Sequence, residues 1–393
     1  MTSHALTLNA GSSSIKFGLF RLGDGPELRL SGQVSRIGGE PHLAARSASG
    51  EELADRALGA ARAADHAGAM GAILDLLGEH VASAEVETVG HRVVHGGPLY
   101  DAPVALDEEV IGELERFSPF APLHQPHNLA GVRAARDAFP EALQVACFDT
   151  AFHRNHPWVN DTFALPREYY EKGIRRYGFH GLSYEFIAGE LARSAPHLHS
   201  GRVVVAHLGN GASMCALMGG RSVGSTMGLS ALDGLPMGTR CGQIDPGLLL
   251  YLMDEEGMGA DEISDLLYRR SGLLGLSGLS NDMRRLEAAD APEAAQAIDY
   301  FVFRIRRELG ALSAVLGGLD ALVFTGGIGE NSALVRERVC TGQDWLGIEL
   351  DRARNADGAR VISADLSRAR VLVIPTNEEL VIARASARML AGG

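Results

Sequence analysis

The sequence predicts an α/β protein built from two domains. Short apolar strands alternate with helical stretches along the chain, the signature of layered α/β architecture. Its 393 residues exceed what one hydrophobic core usually organises. A strand–turn–strand unit near the N-terminus, TLNAGSSSIKFGLF from Thr7, has a counterpart in layout at Gly201, GRVVVAHLGNGASMCALM, which suggests two halves built alike.

In chain order, Ala5–Leu8 and Ile15–Arg21 read as strands around the polar turn Asn9–Ser14. Ala60–Leu77 is helical, Thr88–Val94 a strand, His127–Ala138 helical and Leu143–Phe148 a strand. From Gly201 a strand, a Gly-Asn-Gly turn and a second strand follow. Helices are expected at Pro246–Glu256, Ala260–Arg270 and Ala291–Leu316. The strand Ala321–Phe324 runs into a third glycine-rich turn, Gly326–Asn331, and the strand Val371–Ile374 leads through PTNEE to a final helix. Gly38–Ser49 and Asp351–Asp365 lack a clean period and read as loops.

Bulk properties exclude several functions. The net charge of −13 and the lack of a basic run speak against a nucleic-acid partner. No apolar stretch approaches the length of a membrane span, and no signal peptide is recognisable, so a cytoplasmic protein is expected. Four widely spaced cysteines without a CxxC pair suit a reducing compartment and not a zinc ribbon. The chain has only two lysines, Lys16 and Lys172, and neither follows glycine, so there is no Walker A loop. Any phosphate must be gripped by another device, and Gly/Ser-rich turns let backbone N–H groups approach an anion. Each of the three turns is also compatible with a purely structural role.

Several charged residues stand in unusual settings. Arg92 in GHRVVHGG and Arg240 in MGTRCGQIDP have apolar or glycine neighbours, unlike an ordinary solvated arginine, and a buried arginine needs an anion. His91, His95, His124, His153, His180 and His207 match no zinc motif. His180 reads either as a core histidine or as a donor to phosphate. Asp149 follows a strand at the carboxyl end where α/β sites gather. Glu378 and Glu379 open the last helix, where they suit its dipole or, through water, an Mg²⁺ ion.

Taken together, NAGSSSIK, GHRVVHGG, APLH, FDTAFH, RRYGFHG, HLGNGAS, MGTR, IDP, SGLLGLSG, GGIGEN and PTNEEL, in this order from Asn9 to Leu380, resemble the acetate kinase family, within the acetate and sugar kinase/Hsc70/actin superfamily. The resemblance spans essentially the whole chain. It implies two ribonuclease-H-like (actin-like ATPase) domains around a nucleotide cleft, residues 1–150 with the C-terminal helix 379–393, and residues 151–378. It also implies reversible phosphoryl transfer from ATP to acetate, giving acetyl phosphate and ADP, with propionate or another short-chain carboxylate as the alternative acceptor, and a homodimer. By the same resemblance Asn9 and Glu378 match the Mg²⁺ site (Mn²⁺ as a substitute). Ser12, Ser14 and Lys16 match the first phosphate hairpin. Arg92 and His124 match substrate-binding positions, with Val94, Leu123 and Phe179 as the apolar surroundings. Asp149, His180 and Arg240 match catalytic positions. His207, Leu208, Gly209, Asn210 and Gly211, then Asp282, Met283 and Arg284, then Gly327, Ile328, Gly329, Glu330 and Asn331, match nucleotide contacts.

The chain departs from the family's common pattern at Gln125, Leu182, Tyr184, Gly224, Cys241, Gln243 and Ala231. Ala231 stands where a proline usually helps wall the acyl pocket, which raises the expectation that propionate is accepted beside acetate.

Overall fold

The computed structural model describes residues 3–11, 13–59, 61–80, 85–122 and 124–392. The chain forms two compact units, Met1–Phe152 with Asn377–Gly393, and His153–Thr376. The boundaries fall two residues away from those expected, so Glu378 lies in the first unit with the helix it opens.

The first unit holds strands β1 (Ser3–Ala10), β2 (Ser14–Arg21), β3 (Glu27–Ser35), β4 (His42–Ser47), β5 (Glu52–Ala57), β6 (Glu85–Val93), β7 (Val104–Ala105) and β8 (Leu143–Phe148). They form one sheet in the order β5-β4-β3-β2-β1-β6-β8-β7. β1 to β5 are joined as antiparallel neighbours, whereas β1, β6 and β8 run parallel. Both faces of β1 are buried. Leu6 and Leu8 pack with Ile73 and Leu76 of the helix His66–His80, and Ala5 packs on the other face with Phe20 and Ala383 of the C-terminal helix Glu378–Gly392. Gly90 of β6 permits that helix to lie close: a Cβ there would stand 2.4 Å from Ile382 Cγ2. The first turn of the helix, with Glu378, is thereby held against the parallel strands.

The second unit holds β9 (Arg202–Leu208), β10 (Ala212–Met218), β11 (Arg221–Ser225), β12 (Ala321–Thr325) and β13 (Arg370–Val373), in the order β11-β10-β9-β12-β13. β9, β10 and β11 are antiparallel neighbours, and β9, β12 and β13 are parallel. This repeats β3-β2-β1-β6-β8 of the first unit, the ribonuclease-H-like arrangement expected from the sequence. The 25-residue helix Pro292–Leu316 buries Phe301, Ile305, Leu309 and Leu312.

Three expectations need correction. Gly38–Ser49 contains β4, whose only core residues are Leu43 and Ala45, too weak a pattern to stand out beside its polar partners. Asp351–Asp365 contains a short helix, Arg352–Ala356, capped by Asp351 Oδ1 accepting from Arg354 N at 3.0 Å. Gly326–Asn331 is a helix and not a turn. Gly326 has φ 77°, and a Cβ there would stand 2.8 Å from the Leu208 carbonyl oxygen. Glycine thus lets the chain turn directly from β12 into the helix against the end of β9. No described helix is long and apolar enough to cross a membrane.

Candidate active site

The first unit gathers polar groups at the carboxyl ends of its three parallel strands, where α/β sheets place ligands. Asn9 lies near the end of β1, Arg92 near the end of β6, and Asp149 follows β8. Arg92 Nε donates to Asp149 Oδ1 at 3.0 Å and Nη2 to Oδ2 at 2.5 Å, a bidentate pair. Arg92 Nη1 donates to Asn9 Oδ1 at 3.2 Å, and Glu378 Oε2 stands 3.9 Å from Arg92 Nε. Burial disfavours the guanidinium charge, but Asp149 and then Glu378 outweigh it and hold Arg92 above its ordinary value. Asn128, which the sequence reading did not single out, fixes the scaffold. Its Oδ1 accepts from Val94 N at 2.9 Å and its Nδ2 donates to the Ala10 carbonyl at 2.5 Å, tying β1 to the end of β6.

In the second unit, His180 precedes the helix Gly181–Ser194 in a left-handed conformation, φ 57° and ψ 25°. Such a conformation is uncommon for a residue other than glycine and costs energy that the surroundings must supply. Its Nδ1 is 2.8 Å from Ser213 Oγ on β10. The His180 and His207 rings stack with centroids 4.3 Å apart, and His207 Nδ1 is 2.9 Å from Ser183 Oγ. Arg240 Nη1 donates to the Ala231 carbonyl at 2.8 Å. The space a Cβ would fill at Gly211 is 3.2 Å from His180 Nε2 and 3.6 Å from Arg240 Nη2. Both groups border the hairpin turn Gly209–Gly211 because that side chain is missing.

Beside this turn lies a cavity of about 660 Å³. Gly209 and Asn210 line it with Asp282, Met283 and Arg284, and with Gly327, Ile328 and Asn331 from the helix after β12. Its volume suits a small-molecule ligand. Asn281, Glu287 and Ser332 line it as well and were not anticipated. Asp282 caps the helix Met283–Glu287 by accepting from Arg284 N at 3.0 Å, and pairs with the exposed Arg284 guanidinium, which lowers the Asp282 pKa.

The remaining sequence-selected residues divide clearly. Leu208 is fully buried in the core, so its side chain faces no ligand. Glu330 turns into the scaffold: Oε1 accepts from Gly326 N at 2.8 Å and from Thr376 N at 3.2 Å. Gly329 is buried behind the cavity-facing residues. Ser14 starts β2 and accepts from Gly11 N at 2.8 Å, closing the first hairpin. Lys16 is exposed on β2 and acts electrostatically on Glu379, whose pKa burial raises. Val94 is buried in the first unit and Phe179 in the second, where its carbonyl bonds His153 Nε2 at 3.0 Å. His124 occupies the N-cap position of the helix Gln125–Ala138 without a side-chain capping hydrogen bond. Ser12 and Leu123 lie outside the described residues. His91 and His153 are core histidines: burial lowers their pKa to about 4 and about 3. Gln125 clamps the main chain of His95 and Leu114, which gives that departure from the common pattern a structural role.

The acetokinase family profile matches residues 4–384. The chain belongs to the acetokinase family. A relative called acetate kinase from Methylocella silvestris is 58% identical over 398 residues, covering 99% of this chain and 98% of that protein. An acetokinase relative from Nitrobacter hamburgensis, also called acetate kinase, is 54% identical over 98% of this chain and 96% of its own length. The crystal structure of Porphyromonas gingivalis acetate kinase matches with TM-score 0.87 at 38% identity, covering 99% of this chain and 100% of that one. A propionate kinase structure from Francisella tularensis matches with TM-score 0.91 at 35% identity, covering 98% and 99%. The two units thus have the actin-like ATPase fold of the acetokinase family.

Proposed function

We propose that this acetokinase catalyses reversible phosphoryl transfer between ATP and acetate, giving acetyl phosphate and ADP. The observation that carries the reading is the approach of His180 Nε2 and Arg240 Nη2 to Gly211, in the same turn as Gly209 and Asn210, which line the 660 Å³ cavity. The cavity residues Gly209, Asn210, Asp282, Met283, Arg284, Gly327, Ile328 and Asn331 suit the nucleotide, with Gly329 and Glu330 acting from within the scaffold. Two donors beside the glycine hairpin suit the charge that develops on the transferring phosphoryl oxygens.

The acceptor needs no general base. A short carboxylic acid has a pKa near that of Glu, about 4.3, and is ionised at neutral pH. Its oxygen forms the new bond to phosphorus, the bond to the ADP oxygen breaks, and no proton is transferred. Both Asp149 oxygens are engaged by Arg92, which supports a positioning role for Asp149: it holds the guanidinium that meets the carboxylate. Among the described residues no three His, Cys, Asp or Glu side chains gather as a metal cage. Asn9 and Glu378 instead offer two oxygens, a donor set that fits Mg²⁺ or Mn²⁺ retaining most of its water. Bound there, the ion would neutralise phosphate charge.

Ala231 leaves room for one more methylene if its side chain lines the acyl pocket, so propionate is accepted too. A relative solved as a propionate kinase supports that breadth. The uncovered helix Pro246–Asp254, which buries none of its residues and exposes Leu248, Leu250, Tyr251 and Met253, supports a homodimer that sedimentation would register as twice the chain mass. The absence of disulfides and the charge of −13 support a reducing, cytoplasmic setting without nucleic acid or membrane partners.

Trapping acyl phosphate with hydroxylamine, using acetate, propionate and butyrate in turn, tests the reading. Acetate should give hydroxamate. Propionate should follow with kcat/KM within about a hundredfold, since a pocket discriminates one methylene by roughly 10–200-fold. No hydroxamate from any acid, with folded ATP-binding protein, refutes the kinase assignment; a larger propionate deficit refutes the role of Ala231.

A further inference from the structure

Ser213 Oγ stands between two groups, 2.8 Å from His180 Nδ1 and 2.5 Å from the Tyr184 hydroxyl. All three side chains are buried, and Tyr184 and Ser213 are fully so. A serine hydroxyl carries one hydrogen and two acceptor lone pairs, so it can donate to one of these neighbours while accepting from the other. A neutral imidazole likewise carries one N–H, and its location decides whether His180 can donate from Nε2.

We propose that Tyr184 is a positioning residue that sets the tautomer of His180 through Ser213. The Tyr184 hydroxyl donates to Ser213 Oγ, Ser213 donates to His180 Nδ1, and the imidazole hydrogen therefore resides on Nε2. The direction follows from the chemistry of the two hydroxyls. A phenol is the more acidic donor, and its oxygen, conjugated with the ring, is the poorer acceptor. Burial, and then Cys215, raise the Tyr184 pKa well above 10, so the phenol keeps its hydrogen. Position supports the same direction. Nε2 is the ring nitrogen beside Gly211 and Arg240 Nη2, where a donor is useful, while Nδ1 faces the protein interior. Tyr184 and His180 sit four residues apart, at the first turn of the helix Gly181–Ser194 and immediately before it, so the helix holds the relay in register with β10.

The inference rests on the reading of His180 as a donor to the transferring phosphoryl group, and the test separates the two. ¹⁵N NMR of the histidine-labelled full-length enzyme, assigned with His180→Gln, should show the Nε2–H tautomer at His180. Tyr184→Phe should raise the Nδ1–H fraction and lower kcat about tenfold, the loss expected for one hydrogen bond of roughly 1.4 kcal/mol, with both KM values within about twofold. A scaffold role alone would lower Tm without moving the tautomer. An Nδ1–H tautomer in the unaltered enzyme, or an unchanged tautomer in folded Tyr184→Phe, overturns the relay. A shifted tautomer with unchanged kcat leaves the relay standing and overturns the donor role of His180. The spectrum of the unaltered enzyme decides the relay even if Tyr184→Phe does not fold.

Discussion

At Arg92 the fold commits a nearly inaccessible carboxylate to holding a guanidinium. Asp149 is 1% exposed and Arg92 19%, so the pair is only lightly screened by water. Asp149→Asn keeps the shape and one acceptor but removes the charge. Charge-assisted hydrogen bonds contribute about 1.5–3 kcal/mol, so kcat/KM for acetate should fall roughly tenfold to a hundredfold while KM for ATP stays within about twofold. Steady-state kinetics with each substrate varied would check this, and an unchanged kcat/KM for acetate would remove Asp149 from the site. Arg92 and Asp149 were legible because a charged residue among apolar neighbours, or at a strand's carboxyl end, is conspicuous. Asn128 and Ser213 were not. Each contributes only where elements distant in sequence have been brought together, as with Asn128 and Ala10, 118 positions apart. Glu330 shows the opposite failure. It sits among cavity residues in sequence, but a helix turns successive side chains in different directions, and this one points at Gly326 and Thr376.

At the level of elements, the junction of β12 and the helix Gly326–Asn331 is the most exacting feature. Gly326 combines φ 77° with a close approach to Leu208, so Gly326→Ala meets both a backbone and a steric penalty. The left-handed conformation alone costs roughly 1–2 kcal/mol with a Cβ. Calorimetry should show Tm lower by about 2–8 °C for a unit of this size, and KM for ATP should rise several-fold with KM for acetate little changed. A variant as stable as the parent with an unaltered KM for ATP would refute this account of the junction. The main strands and long helices were legible from their periodicity. β3, β4 and β5 were not, because these outer antiparallel strands bury few residues each, and alanine at half of the inward positions of β4 blurs its alternation. The glycines of Gly326–Asn331 read as a turn because the parallel strand that covers them is invisible in local sequence.

For the molecule as a whole, buried histidines set the response to acid. His91 in the first unit and His153 and His156 in the second are held near pKa values of about 4, 3 and 4, chiefly by burial, against an ordinary value of 6.5. Unfolding therefore takes up protons between these values. The stability these residues contribute is complete above about pH 6.5 and is lost as pH falls toward 4, with His153 extending the loss to about 3. His91 alone accounts for roughly 3 kcal/mol of that change. The urea midpoint should be flat from pH 8 to 7 and drop steeply between pH 6.5 and 4.5; a constant midpoint over that interval would contradict the buried, uncharged state of these rings. The repeated strand order of the two units was foreshadowed by their two similar hairpins.

The first unit is completed by the helix Glu378–Gly392, which follows the second unit in sequence. On a ribosome, β1 to β8 emerge early but face water on one side until Ile382 and Ala383 arrive to cover Gly90, Ala5 and Phe20. The second unit, continuous from His153 to Thr376, has its whole sequence available before that moment. Translation begins with the first unit, but that unit waits for a helix made only after the whole of the second.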